Sequence, residues 1–190
     1  MTKPTASDDM DSIYHIKVII KDTEPAIWRT IQVPSHVTLY KMHRILQIVM
    51  GWQNSHLHEF VIDGKSYGES HPEYGLEMKT ERRARLDELV PHENGVFFYD
   101  YNLDEGWRHV LLVEKVLRRE PGVHYPRCVA GERACPPEDC GGTRGYKELL
   151  EIITNPEDVE YEETMAWLGG SFDPKAFDLE GVSQQLKKIR

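Results

Sequence analysis

Alternation opens the ordered part of the chain. From Ile13 to Ile20, Tyr14, Ile16, Val18 and Ile20 share one face, and the β-branched content predicts a strand. Asp22-Thr23-Glu24-Pro25 reads as a turn, because Pro25 bars further pairing. Ile27 to Val33 returns with Ile27, Arg29, Ile31 and Val33 on one side, and Pro34 ends it. The two segments predict an antiparallel hairpin. The period then changes. Leu39, Met42, Ile45, Leu46, Val49 and Met50 recur at helical spacing, with Thr38 placed to cap the start and Gly51 placed to end the last turn in the left-handed conformation. His43, Arg44 and Gln47 fall on the flank or outer face of that helix.

Further along, His56 to Ile62 predicts a third strand, closed by the turn pair Asp63-Gly64, with Lys65 to Tyr67 pairing back briefly. Residues 68–86 are polar and punctuated by Gly and Pro, and read as a surface loop with a helical piece near 78–89. Val96 to Tyr101 and Arg108 to Leu117 predict two more strands, joined through residues 102–106. Residues 118–145 carry Pro, Gly and Cys with little periodicity and read as a wrapping loop. Three helical stretches follow: Tyr146 to Ile153, Glu157 to Leu168, and a last one capped by Asp178 with Leu179, Val182 and Leu186 inside.

These elements predict one α+β domain over residues 12–190 behind a polar lead-in, residues 1–11, expected to be disordered. The sheet portion spans 12–117 and the helical end 146–190. The architecture expected is roll-like: an antiparallel or mixed sheet of about five strands, one packed helix, and a C-terminal helical lobe. At 190 residues and 39% hydrophobic the chain can bury a sizeable core. The formal net charge of −9 argues against coating nucleic acid through bulk charge, since phosphates demand a cationic face. No apolar run is long enough to span a membrane, and the polar start lacks a signal-peptide core. Three cysteines without an export signal fit a reducing cytoplasm.

Four features could carry chemistry. His56 and His58 stand two apart in an expected strand, so both imidazoles point to one face. With His109 as a third ligand and Asp104 or Glu105 as a fourth, they could hold a divalent metal, although packing or hydrogen-bonded histidines are the commoner outcome. Cys128, Cys135 and Cys140 are spaced C-x6-C-x4-C, a poor fit to structural zinc even with His124 added, and buried or redox-paired thiols are the alternatives. The segment 131–142 combines Pro136-Pro137 with flanking glycines. A stretch this constrained fixes its polar side chains, which makes Arg133, Glu138 and Asp139 candidate binding groups. Trp107, beside His109, could cap a pocket, whereas Trp28 and Trp52 read as core or core-edge. Phosphate-loop, dinucleotide, serine-hydrolase and zincin motifs are absent from the sequence.

Several segments together resemble the plasmid pRiA4b ORF-3-like family. They are Pro25-Ala26-Ile27-Trp28-Arg29, Gly51-Trp52 with Ser55 through Phe60, Gly106-Trp107-Arg108-His109, Tyr125-Pro126-Arg127-Cys128, residues 131–142 with Tyr146, and the ending Trp167-Leu168-Gly169-Gly170 with Phe172-Asp173-Pro174. The resemblance covers roughly residues 13–186. It implies an α+β roll with helices packed at the C-terminal end, and it implies no function. The chain departs from the family's D-F-G-D hairpin loop, carrying Asn102-Leu103-Asp104-Glu105 there.

The leading functional expectation is a non-enzymatic interaction or ligand-binding module. Its pocket would be lined by His56, His58, Trp107 and His109, with Arg133, Glu138 and Asp139 closing over it, and would suit a polar or anionic small molecule or protein. The alternative is a metal-dependent hydrolase or phosphoesterase using the sheet histidines, with Glu105 or Glu138 as base. A nucleic-acid-associated role is the third.

Overall fold

The computed structural model describes residues 12–189, apart from the side chain of Tyr74. The lead-in expected to be disordered lies outside the described residues. The described chain forms one mixed sheet of eight strands, where about five were expected, together with five α-helices. The order across the sheet is β5-β4-β3-β6-β7-β1-β2-β8. The strands are β1 (Ser12–Ile20), β2 (Trp28–Pro34), β3 (His58–Ile62), β4 (Lys65–Gly68), β5 (Lys79–Thr80), β6 (Val96–Tyr101), β7 (Trp107–Arg118) and β8 (Arg127–Glu132). Only the β4–β5 pair is parallel.

The hairpin of β1 and β2 forms with Ile16 opposite Ile31. The long β7 then covers the other edge of β1, with a bulge at His15/Ile16. β4 is the brief return expected after Asp63-Gly64, and the unexpected strands, β5 and β8, lie where alternation is weak. β4 and β5 are short, and β8 (RCVAGE) holds only one β-branched residue, yet it completes the free edge of β2. Pairing with an existing edge, more than intrinsic propensity, places such segments in a sheet.

Helix α1 (Leu39–Met50) packs its apolar stripe against the inner face of the sheet. Leu39, Met42, Ile45 and Leu46 are sealed, and truncating one of them to alanine would cost about 2–5 kcal/mol. Thr38 Oγ1 accepts from Lys41 N at 3.3 Å at its start. Gly51 ends the helix at φ 84°, a conformation that puts a Cβ against the following carbonyl in other residues. Of the three residues expected on the flank or outer face, His43 and Gln47 are buried and Arg44 is exposed. The sheet and the segment after Gly51 enclose more of the helix than its apolar stripe indicates.

The expected helical piece near 78–89 reduces to α2 (Leu86–Leu89), because 79–80 pairs as β5 instead. The helical end holds α3 (Gly142–Thr154), α4 (Tyr161–Trp167) and α5 (Leu179–Leu186). Asp178 caps α5, its Oδ1 accepting from Gly181 N at 2.8 Å, and α5 seals the core through Leu186. No helix among the described residues is long and apolar enough to cross a membrane.

Arg29 ties these layers together. It is 1% exposed, and no carboxylate faces it among its hydrogen-bond partners. Its Nε donates to Val49 O in the last turn of α1, Nη1 to Trp28 O and Glu132 O, and Nη2 to Arg133 O, all at 2.8–2.9 Å. Carbonyls at a helix C-terminus carry partial negative charge and so compensate the buried cation. The ring of Phe177 lies 3.9 Å from the guanidinium carbon. Gly131 admits this stack, since a Cβ there would meet Phe177 at 2.5 Å and Arg29 at 2.8 Å.

Candidate functional site

A groove of about 1020 Å³ opens between the first turns of α1, the segment 54–58, the loop 69–81 and the hairpin tip 102–104. Its wall includes Tyr40, His43 and Arg44 from α1, Asn54 through His58, Glu69, His71, Glu81 and Asp104.

The back of this wall is a closed circuit of hydrogen bonds. The backbone N–H of Asn54 donates to Gln47 Oε1 at 2.8 Å. That fixes the Gln47 amide, whose Nε2 donates to the Tyr99 hydroxyl at 3.0 Å. Tyr99 then donates its own proton to His43 Nδ1 at 2.8 Å, and His43 Nε2–H donates to Asn54 Oδ1 at 2.7 Å. Because a backbone N–H can only donate, the Asn54 bond sets the Gln47 amide, and because Asn54 Oδ1 can only accept, a neutral His43 carries its proton on Nε2 and takes the Tyr99 proton at Nδ1. A proton on His43 Nδ1 would collide with this arrangement. Burial pushes the His43 pKa down to about 4, with the nearby His58 ring acting in the same sense. Burial also pushes the Tyr99 hydroxyl well above its usual range, so it stays a donor.

His43 stacks on His58 with centroids 3.6 Å apart and planes 5° from parallel. His58 Nε2 lies 2.9 Å from Glu81 Oε2, a carboxylate on a residue only 6% exposed. His58 starts β3, while His56 precedes the strand, and the two rings line up beside Tyr99 and Tyr101.

His56 meets the proline-rich loop. Its Nε2 is 2.9 Å from Asp139 Oδ1 and 3.4 Å from Glu138 Oε2, though neither approach has hydrogen-bond alignment. Glu138 Oε1 accepts from Gln53 N at 2.6 Å and from the Tyr101 hydroxyl at 3.1 Å. Tyr101 in turn accepts from Ser55 N, and burial raises its pKa to about 12. Trp52 Nε1 donates to Pro136 O at 3.0 Å. The loop therefore buttresses the 52–56 segment from behind, while Glu138 and Asp139 are outside the groove lining.

Trp107, His109 and Arg133 do not reach the groove. Trp107 is 1% exposed, its Nε1 donating to Glu105 Oε2. The other oxygen of Glu105 accepts from Gly141 N at 2.8 Å, so this carboxylate ties the hairpin to the start of α3. His109 is sealed, its Nδ1–H shared between Trp107 O and Tyr99 O, and burial lowers its pKa to about 4. Arg133 offers its carbonyl to Arg29. No three His, Cys, Asp or Glu side chains among the described residues are arranged to hold a metal ion, so His56, His58 and His109 do not converge as ligands. The three cysteines are free thiols. Burial pushes Cys128 up to about 11, Cys140 to about 12 and Cys135 higher still.

Sequence reasoning placed His56 and His58 at the groove and missed His43, Asn54 and Glu81. A polar pair, His43 and Gln47, at i and i+4 beside the apolar stripe of the helix was the available signal for a buried network. Glu81 gave none, lying in a charged run that reads as solvated.

The model of the family described as plasmid pRiA4b ORF-3-like protein matches residues 12–181. An uncharacterised protein, y4hQ, from Sinorhizobium fredii is 34% identical over 180 residues, covering 94% of this chain and 92% of its own length. The crystal structure of a protein of unknown function, MM3350, from Methanosarcina mazei superposes with a TM-score of 0.82 at 39% identity, covering 90% of this chain and 98% of the other.

Proposed function

Because this chain belongs to the plasmid pRiA4b ORF-3-like family, whose two relatives above are described as uncharacterised and of unknown function, we propose from its own groove that it is a non-enzymatic module that binds a small polar ligand. The observation that carries this reading is the stacked pair of His43 and His58, fixed at 3.6 Å by partners behind it and forming part of the groove wall. Preset polar groups in a concave site are what small-molecule recognition uses. The volume is that of a site for a ligand of drug size. Glu138 and Asp139 support the wall through His56 and the 52–55 segment rather than touching the ligand.

The hydrolase alternative draws less support. The sheet histidines lack a third ligand among the described residues, and Glu105 is engaged at both oxygens. Carboxylates in the groove lining also oppose a nucleic-acid partner.

A screen of polar fragments against isotope-labelled protein tests the proposal by NMR. The expected result is perturbation of the amides of Asn54, Leu57 and Leu103 by at least one fragment that is recovered unchanged. Perturbations confined to other regions, or chemical conversion of the groove-bound fragment, would overturn it.

A further inference from the structure

We infer that the groove ligand is a cation, carrying an ammonium, amidinium or guanidinium group that meets Glu81. This deepens the reading of the groove as a binding site and rests on it.

Three observations carry the inference. First, Glu81 is a buried carboxylate with capacity to spare. Its side chain is 7% exposed, and Oε2 faces His58 Nε2 at 2.9 Å. Its Oε1 takes no hydrogen bond among the described residues and is not sealed from solvent, and the residue belongs to the groove wall. A buried carboxylate oxygen is stabilised by a hydrogen-bond donor, and a cationic group in the groove supplies a charge-assisted one. Second, apart from Arg44, the charged or imidazole donors expected to meet an anion are largely committed. His43 Nε2–H is given to Asn54 Oδ1, His58 Nε2 faces Glu81, and Arg133, the cation expected to close the pocket, sits with its carbonyl on Arg29. Third, Glu69 and Asp104 flank the mouth, against Arg44 as the one lysine or arginine in the lining. The imbalance favours a positive guest.

The geometry also limits its shape. A planar fork such as an amidinium can offer one N–H to Glu81 Oε1 and direct others to the solvent-facing part of the groove.

Matched probes separate the charge from the site. Benzamidinium, benzoate and inorganic phosphate are titrated into the full chain, and the amides of Asn54, Leu57 and Leu103 are followed by NMR. Benzamidinium is expected to shift these signals at millimolar concentration, and raised salt is expected to weaken it. Glu81→Gln is expected to weaken binding at least tenfold. Because Glu81 is buried and that variant could lose its fold, Asp104→Asn at the mouth serves as a second variant, expected to weaken binding two- to threefold. Tighter groove binding of benzoate or phosphate than of benzamidinium would overturn the charge assignment and leave the binding site standing. Benzamidinium binding in the groove that neither variant weakens would overturn the role of the carboxylates. No groove shift from any probe or from the fragment screen would remove both proposals.

Discussion

The imidazoles of His43 and His58 lie face to face, 3.6 Å apart, and each ring is held by a partner that the other does not share. His43 is fixed by Tyr99 and Asn54, His58 by Glu81. Two positive charges at this separation would repel strongly in a poorly hydrated wall, and burial keeps the His43 side neutral. The groove wall therefore carries a stacked imidazole pair with the Glu81 carboxylate against the His58 ring.

Stability is expected to fall with acid between pH 6.5 and about 4. His43 and His109 both have pKa values lowered from 6.5 to about 4, principally by burial. In that window the unfolded chain binds protons that the native state excludes, so the stabilisation is complete above pH 6.5 and is lost as pH falls to about 4. His43 alone contributes on the order of 3 kcal/mol to this loss. Urea unfolding across the pH range measures it, and His43→Gln is expected to flatten the curve by about one proton. A wild-type curve that is flat in this window contradicts the assignment.

Tyr99→Phe is expected to open the circuit. The change leaves Gln47 Nε2 and His43 Nδ1 without partners in a buried region. The expected cost is about 2–3 kcal/mol in denaturant unfolding. The His43 ring resonances would also broaden or shift in NMR, a signature that a simple packing defect elsewhere would not produce.

Arg29→Met is expected to destabilise by about 3–5 kcal/mol despite its apolar replacement, because four carbonyls lose their donor at once. Arg29→Lys recovers little, since an ammonium cannot reproduce the planar fork. Gly131→Ala, next to the same stack, is expected to cost about 1–3 kcal/mol by pushing on Phe177. Thermal melts of the three variants rank them, and an unchanged melt for Arg29→Met would refute the structural role.

Thiol labelling at neutral pH is expected to be slow for the folded protein at all three cysteines. Burial holds Cys128, Cys135 and Cys140 in the protonated form, and the thiolate is the reactive species. Unfolding in guanidinium should release three equivalents at once. Rapid labelling of one site in the native state would reveal an activated thiol instead.

The hairpin of β1 and β2, α1 with Thr38 and Gly51 at its ends, and the strands β6 and β7 were legible because each pairs a strong period with a clear stop. β8 was not, since Cys128, Ala130 and Gly131 give no alternation and the strand is specified by the edge of β2. The contact of His56 with Glu138 and Asp139 brings together two features singled out in the sequence. The groove itself faces elsewhere, because the proline-rich loop supports its back. Trp107 and His109 stand next to a turn, which suggests a pocket rim, but pairing with Tyr101 and Tyr99 turns both into the core. Glu81 became visible only once the loop before α2 folded back over α1, where its carbonyl takes the Tyr40 N–H at 3.2 Å.

The circuit through Asn54, Gln47, Tyr99 and His43 sets this wall of the groove before any guest arrives. Side chains locked before a guest arrives lose little freedom when it does. Occupied and vacant forms should superimpose closely at this wall, and selectivity would then come from the fixed placement of acceptors rather than from closure around whatever enters.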